Sequence, residues 1–325
     1  MAAANKYAKC IIEETPAPPL HPRPANPAET GGTNVIYIND ELQGAVPNAT
    51  YLDIALVTRP FSMGPFRRHA HSFDEYVTFI GTNIENPCDL GGVVEFWIED
   101  EKYILTKTCT VFVPKGTFHL PFVFHEVDSP IIFMASSGAT HNPSYLSEPV
   151  EPAPEGFGVA TAKGAAHMSG EKKYAKYILD NTPDSPQSPR PANPKEAGGT
   201  NVIYVNNELN GTLPNATYLD IGLVTKPFSM PFQQHAHSVD EYIAFIGTNI
   251  EKPYELDGVV EFWIEDEKYI LTKTCAVFVP KGTYHCPFVF HEVNSPIVFM
   301  STSPGTHLEY PRDAVLPPPE GFGVV

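Results

Sequence analysis

The sequence predicts an all-β protein made of two tandem jelly-roll β-barrels, each preceded by a proline-rich arm. Residues 96–109 return without a substitution at 262–275, which indicates a duplication whose halves share one fold. Each copy also holds eight short segments rich in β-branched and aromatic residues, as expected for strands. Helical periodicity is confined to residues 171–179 and a short segment near Tyr7, where a strand is also compatible with the pattern.

The arms come first in each copy and cover residues 14–30 and 182–197. The motif Pro-Arg-Pro-Ala-Asn-Pro occurs at 22–27 and again at 189–194. Prolines at this density can neither donate to a sheet nor continue a helix, so an extended arm lying on the barrel surface is expected. A flexible linker is the alternative interpretation.

The predicted strands follow the arm, and the pattern repeats in the second copy. Residues 93–99 alternate, so Val94, Phe96 and Ile98 should fill the barrel. The predicted domains are residues 1–166 and 167–325, because a Gly-, Ala- and Ser-rich stretch lies between the copies. In the first copy the eight strands are 34–39, 51–58, 75–80, 93–98, 102–106, 110–113, 122–127 and 131–134.

The charge composition of the chain argues against some classes of binding partner. The chain has 38 acidic and 21 basic residues and a net charge of −17, which argues against nucleic acid or an anionic membrane. No apolar run approaches a membrane span and no signal-like segment is evident, so a soluble cytoplasmic protein is expected. Five cysteines without a Cys-x-x-Cys motif indicate reduced thiols; Cys109 and Cys275 should be core residues. A small-molecule substrate is expected, and a homo-oligomer is left open.

The central motif places imidazoles and a carboxylate at spacing that suits a strand. Side chains alternate along a strand, so His69 and His71 point to one face, and Glu75 can return toward them. A third imidazole, His119, follows a Pro-x-Gly turn. The second copy repeats all four residues, as His235, His237, Glu241 and His285.

Three imidazoles and a carboxylate are ligands that suit Fe(II), Mn(II), Ni(II), Co(II) or Zn(II). Each copy supplies a complete set, so two metal ions per chain are predicted. Four protein ligands leave two open positions on an octahedral ion, where chemistry can occur. Redox use of those positions favours Fe(II) or Mn(II).

The spacing His-x-His-x3-Glu, followed by Pro-x-Gly-x2-His, resembles the two short motifs of the cupin superfamily. Because the whole unit is present twice, the chain resembles a bicupin over nearly its full length. The resemblance implies a small β-barrel around each metal, and activities that include dioxygenases, oxalate decarboxylase-like enzymes, isomerases, hydrolases and lyases. A zinc hydrolase on an α/β barrel shares the first motif, but that fold needs eight helices.

Residues just before the first ligand are candidates for substrate binding. Strand alternation predicts that Arg67 looks into the barrel and could bind a carboxylate or enolate; a solvated position at the barrel mouth is the alternative. Gln233 is its counterpart in the second copy. By the same alternation, Arg68 and Gln234 should point outward.

Two further residue pairs lie close to the third imidazole. Unbroken alternation would carry His125 and His291 inward, where His125 could act as an acid or base, but a bulge at Pro121 could reverse them. Cys286 follows His285 directly where the first copy has Leu120. Alternation predicts that the Cys286 thiol faces away from the metal and has no role.

The combined features predict a metal-dependent enzyme acting on a small oxygen-rich molecule, either enolic, 1,3-dicarbonyl, phenolic or carboxylic. Oxidative or decarboxylative cleavage is favoured, with a Lewis-acid hydrolase, isomerase or lyase that does not use O2 as the alternative. A noncatalytic binding or storage bicupin is the third hypothesis; storage relatives typically lose metal ligands, and this chain keeps all eight.

Overall fold

A computed structural model describes residues 6–18, 22–39, 50–62, 68–138, 150–159, 172–185, 189–206, 213, 217–230, 233–303 and 315–324. Within them the protein is all-β, with four six-stranded antiparallel sheets. The described helices are the four-residue α1 (Pro27–Thr30) and α2 (Pro194–Ala197) and the 3-10 turns Ala8–Cys10 and Ala175–Tyr177. None of these is long and apolar enough to cross a membrane.

The strands are numbered in chain order. The first twelve are β1 (Ile11–Ile12), β2 (Gly32–Ile38), β3 (Leu52–Val57), β4 (Phe61–Ser62), β5 (Arg68–His69), β6 (Glu75–Gly81), β7 (Asp89–Ile98), β8 (Glu101–Lys107), β9 (Cys109–Val113), β10 (His119–Val127), β11 (Ile131–Ser137) and β12 (Val150–Glu151). The others are β13 (Ile178–Leu179), β14 (Gly199–Val205), β15 (Tyr218–Val224), β16 (Phe228–Met230), β17 (Gln234–His235), β18 (Glu241–Gly247), β19 (Glu255–Ile264), β20 (Glu267–Lys273), β21 (Cys275–Val279), β22 (His285–Val293), β23 (Ile297–Ser303) and β24 (Val315–Leu316).

One compact unit, Ala17–Thr182, forms the first barrel. Its sheets have the strand orders β13-β9-β6-β11-β3-β2 and β12-β5-β10-β7-β8, with β4 also paired to β10. The core between them confirms the predicted alternation, because Val94, Phe96 and Ile98 belong to its apolar cluster and Trp97 does not. Phe79 packs edge-on against Phe96 in the same core, an arrangement that aromatic pairs prefer.

The other compact unit combines Met1–Pro16 with Pro183–Val325 and forms the second barrel. Its strand orders are β1-β21-β18-β23-β15-β14 and β20-β19-β22-β17-β24, with β16 also paired to β22. Strand β1 lies at one edge of the second barrel's sheet, beside β21, and β13 lies at the equivalent edge in the first barrel, beside β9. Each barrel therefore takes its edge strand from the start of the other copy. The predicted cut between residues 166 and 167 lies outside the described residues and stays a prediction.

Each arm is held against its barrel by an arginine. The Arg23 guanidinium donates through Nε to the carbonyl of Asn34 (3.0 Å) and through Nη2 to its side-chain oxygen (3.0 Å). Arg190 donates through Nε to the carbonyl of Asn201 (3.0 Å). These hydrogen bonds hold the parts of the arms around Arg23 and Arg190 against the barrel wall.

A short helix ends each arm. Proline begins α1, where the missing N–H costs nothing. Gly31 ends it at φ 83°, and a Cβ at Gly31 would lie 2.4 Å from Cβ of Arg59. Glycine is therefore required at this position by both the backbone angle and the close approach.

Candidate metal centres

The predicted ligands of each copy come together from three places in the fold. His69 on β5 lies directly opposite His119 at the start of β10, and Glu75 begins β6. In the second barrel, His235 is likewise opposite His285. Three of the four candidate ligands in each barrel therefore stand on strand ends, which the barrel core holds in place.

Hydrogen bonds attach the turn before the third imidazole to the first motif. Asp74 accepts from the backbone N–H of Lys115 (2.7 Å), and Gly116, at φ 75°, donates to the carbonyl of His71 (2.8 Å). The second copy repeats both bonds at the same distances. The Pro-x-Gly turn thus aims its histidine at the other ligands.

In the first centre the four side chains are buried and converge. His119 Nε2 lies 2.8 Å from Glu75 Oε2, and His71 Nε2 lies 3.5 Å from the same oxygen. His69 Nε2 is 3.1 Å from His71 Nε2. Ring nitrogens of the three histidines all fall within 4.8 Å of one another.

The second centre has nearly the same geometry. His285 Nε2 lies 2.8 Å from Glu241 Oε2, and His237 Nε2 lies 3.4 Å from it. His235 Nδ1 donates to the carbonyl of Gln233 (2.9 Å), and His285 Nδ1 donates to that of Thr283 (3.0 Å). A ring held through Nδ1–H presents the lone pair of Nε2, which is the form that binds metal.

Several ligand atoms are buried without a hydrogen-bond partner, and this tests whether the residues fit a metal ion. In the described part of the chain they include Glu75 Oε2, His119 Nε2, Glu241 Oε2 and His285 Nε2. His119 Nδ1 donates to the carbonyl of Thr117 (3.1 Å), so its Nε2 lone pair faces a carboxylate oxygen across 2.8 Å. Two such lone pairs repel, and a divalent cation between them would satisfy both. The residues therefore fit a metal.

The charge states also suit metal binding. Burial by itself raises the pKa of Glu75, but interactions with His71 and His119 outweigh it and hold the pKa below its usual range. For Glu241, burial is likewise the largest single effect and raises the pKa, but the combined interactions with His285, His237 and Ser301 outweigh it and lower the pKa to about 2. Burial, together with the neighbouring His285, lowers the pKa of His235 to about 4. Carboxylate and neutral imidazole are the forms that ligate.

A cavity of about 230 Å³ connects the arm of the second barrel with its metal centre. Its lining runs from Pro189 and Pro191 to His235 and Glu241. The first barrel has a cavity of about 340 Å³ beneath its arm, and none of the four ligands belongs to its described lining. In their described linings, the cavity of the second barrel includes two candidate ligands and that of the first barrel includes none.

Comparison with known proteins identifies the fold. A tryptophan-to-phenylalanine variant of oxalate decarboxylase from Bacillus subtilis matches with a TM-score of 0.54 at 11% identity, over 89% of this chain and 76% of that one. Oxalate decarboxylase from Bacillus subtilis at pH 4.6 matches with a TM-score of 0.51 at 12% identity, over 89% and 75%. The fold is that of a two-domain cupin. No family model and no curated protein matches the sequence.

Cys286 corrects a prediction, because it faces the second centre. The thiol lines the cavity, and its sulfur lies within 4.8 Å of ring nitrogens of His235 and His285. Alternation fails here because Cys286 has φ 63° and the pairing of β19 with β22 shifts register at His285. Burial, and then the charge of Glu241, raises the pKa of the thiol well above its usual value.

Sequence reasoning did not single out Ser301, which contacts a ligand directly. Its hydroxyl donates to Glu241 Oε1 (2.5 Å), which leaves Oε2 toward the imidazoles. The equivalent residue in the first barrel is Ala135, which has no hydroxyl. The sequence signal that could have found Ser301 is the difference between Ala135 and Ser301 in closely similar strands of the two copies.

A partly buried carboxyl group in each barrel was also missed. Asp220 lines the cavity, accepts from Asn201 Nδ2 (2.5 Å), and lies across the strand pair from Ser301. Burial raises the pKa of Asp220 to about 7 despite that hydrogen bond. Asp53, bonded to Asn34 (2.6 Å), is the counterpart, and burial raises its pKa to about 7 also. The signal was the recurrence of Asn and Asp at matching places in both copies.

The predicted inward arginine, Arg67, lies outside the described residues, and its role stays a prediction. Its counterpart Gln233 is exposed, contrary to the expectation of an inward side chain. Gln234, predicted to point outward, is buried and donates to the carbonyl of Glu265. Arg68, also predicted to point outward, donates to the carbonyl of Glu99 (3.0 Å) and forms ion pairs with acidic side chains. It is therefore not simply solvated.

His125 lies on the side of β10 away from the barrel core. Its Nε2 contacts Glu95 Oε2 (2.8 Å), and Glu95 also accepts from Trp97 (2.7 Å) and from the backbone N–H of Gly158 (3.0 Å). The bulge that was considered at Pro121 is present, since pairing with β7 shifts register between His119 and Phe122. This placement gives His125 a structural contact and lends no support to an acid or base role beside the metal.

Proposed function

We propose that this bicupin is a metal-dependent enzyme acting on a small oxygen-rich molecule, and that the substrate binds in the second barrel. The observation that supports this most directly is the cavity that leads from the arm to His235 and Glu241. A concave site with apolar walls and a few polar groups at one end is the usual form of a small-molecule site.

The cavity walls favour a substrate with an apolar body. Phe228, Phe288, Phe290 and Phe299 line it, and none of its described lining residues is Lys or Arg. Of the two carboxylates of a small dicarboxylate, one could bind the metal ion, but the other would lie against phenylalanine and near Asp220, which is costly without a second cation. A phenol, an enol or a 1,3-dicarbonyl compound fits better, with its oxygen toward the ligands and its carbon framework among the rings.

The reaction we propose is oxidative or decarboxylative cleavage. A metal ion bound by the three histidines and Glu241 would supply Lewis acidity or, as Fe(II) or Mn(II), O2 activation. The phenylalanines exclude water from the bound substrate. Asp220 can hold or accept a proton near neutral pH at the cavity wall, and Ser301 fixes Glu241 Oε1.

The test uses protein purified without oxygen and reloaded with Fe(II) or Mn(II). A phenol, an aryl 1,3-dicarbonyl compound and oxalate are compared with and without O2, while an electrode records O2 consumption. We expect turnover of an aromatic or enolic compound with O2 uptake, abolished by H235A and retained in the matched H69A variant.

The other hypotheses give distinct results. Full turnover under strict anaerobiosis, with Zn(II) replacing the native ion, would support the Lewis-acid alternative. Binding of these compounds without turnover under any condition would support a noncatalytic bicupin. Turnover lost in H69A and kept in H235A would assign the reaction to the first barrel.

A further inference from the structure

The two metal centres differ in one donor atom. The second centre has Cys286 beside its histidines, whereas the first has Leu120 at the equivalent position, with nearly the same backbone angle (φ 63° and 64°). The chain therefore presents the same turn twice, with a sulfur donor in one copy and a hydrocarbon side chain in the other.

The geometry brings the sulfur into the ligand cluster. Ligand atoms of Cys286, His235 and His285 lie within 4.8 Å of one another, and so do those of His237, Glu241 and His285. His285 belongs to both groups, and its Nε2 lies 2.8 Å from Glu241 Oε2. That nitrogen is fully buried and has no hydrogen-bond partner.

The backbone angle at Cys286 also fixes the direction of its side chain. A positive φ is costly for a residue with a Cβ and persists where the surrounding structure enforces it. Here the sulfur of Cys286 lies within 4.8 Å of a ring nitrogen of the preceding residue, His285, although ordinary strand alternation would point the two side chains to opposite faces.

We propose that Cys286 is a fifth protein ligand of the metal ion in the second barrel, an inference that rests on the proposed metal-dependent function. Thiolate sulfur favours Fe(II), Co(II) or Zn(II) over Mn(II), so the two centres differ in metal preference. When the metal–sulfur bond forms, the thiol proton is released to solvent. Five protein donors leave one open octahedral position in the second centre, which suits a substrate bound through a single oxygen, such as a phenolate.

The experiment uses Co(II), added to the metal-free full-length protein, as a spectroscopic probe. A cobalt–thiolate bond gives a charge-transfer band in the near ultraviolet, and imidazole and carboxylate ligands do not. We expect two Co(II) per chain and a band that is lost in C286A. The control is C275A, which removes an equally buried cysteine of the same barrel and should keep the band.

A gain-of-function variant provides an independent test in case C286A does not fold. L120C places a thiol at the matching position of the first barrel, and we expect it to strengthen the band. Two bound Co(II) without a thiolate band in the wild-type protein would overturn the inference and leave the metal centres intact. Absence of Co(II) binding would instead overturn the proposed function, and a band that survives in C286A would assign the bond to another thiol.

Discussion

The candidate carboxylate ligands of the two barrels, Glu75 and Glu241, are identical in sequence but are held differently. Ser301 donates to Glu241, and Ala135 cannot donate to Glu75. A hydrogen bond to a ligating carboxylate orients it and reduces the entropy lost on binding a metal. The second centre is therefore the better organised of the two.

We predict that S301A weakens metal binding at the second centre by roughly 10–100-fold, the range typical for loss of a residue that orients a ligand. Competition titration with a chromophoric chelator would measure it. The reciprocal variant A135S should strengthen the first centre. Equal affinities in S301A and wild type would show that Glu241 is positioned by the strand alone.

The partly buried carboxyl groups of Asp53 and Asp220 make stability depend on pH. Burial raises the pKa of Asp53 and of Asp220 from 3.8 to about 7. The folded state therefore binds these protons more tightly than the unfolded state. Their contribution is fully present below pH 3.8, declines as the pH rises, and is lost above about pH 7.

We predict that D53N/D220N reduces the loss of stability between pH 5 and pH 8. One pKa unit corresponds to about 1.36 kcal/mol, so we expect a difference of roughly 1–3 kcal/mol per carboxyl group after allowing for cavity water. Urea denaturation of the metal-free protein at both pH values would measure it. Parallel pH profiles for variant and wild type would contradict the prediction.

At the scale of single residues, the sequence was sufficient to predict that the candidate ligands of each copy lie together, because spacing and repetition carry that information. It failed at Cys286 because a positive φ reverses the direction that alternation predicts. It failed at Gln233 because the residues before a short two-residue strand need not follow strand alternation. Both failures lie where the chain departs from regular β geometry.

The principal element at the site is the Pro-x-Gly turn that precedes the third imidazole. In the second barrel its backbone is fixed by Asp240, by the carbonyl of His237, and by Glu265 Oε1, which accepts from Tyr284 (3.1 Å). The turn and the first motif therefore form one unit, so a change in either should affect the position of His285.

We predict that D240A lowers metal affinity at the second centre while the barrel stays folded. Loss of a charged hydrogen bond to a backbone N–H costs about 1.5–3 kcal/mol, and part of this should appear as weaker binding. Metal content and thermal unfolding would be measured together. The matched variant D74A should affect only the first centre; loss of both metals in either variant would contradict independent centres.

The main strands were predictable because each carries a clear β-branched and aromatic pattern. All eight predicted strands of the first copy are present, with ends shifted by a few residues. Strands of two residues, such as β5 and β12, carry too few side chains for a pattern, and they form only because a neighbouring strand supplies partners. Tertiary pairing thus decides the elements that local sequence leaves open.

For the whole molecule, the duplication predicted two barrels but not the exchange of their edge strands. A repeat shows that two segments are equivalent and does not show which sheet each will join. In the second barrel, Ile11 pairs with Val277, and Glu267 accepts from the backbone N–H groups of Lys6 (2.9 Å) and Tyr7 (3.2 Å). Cys10 belongs to the core of that barrel.

Removal of residues 1–16 should therefore destabilise the second barrel, although these residues begin the first copy. The truncation exposes the edge of β21 and the core that Cys10 and Ile12 cover, which costs apolar burial and leaves backbone groups unpaired. We predict faster hydrogen exchange in residues 275–279, weaker metal binding at the second centre, and a greater tendency to aggregate. Hydrogen exchange of residues 109–113 in the first barrel is the internal control, since β13 covers that edge and is retained. Equal loss of protection in both segments would show that the barrels unfold as one unit, and loss confined to 109–113 would contradict the exchanged topology.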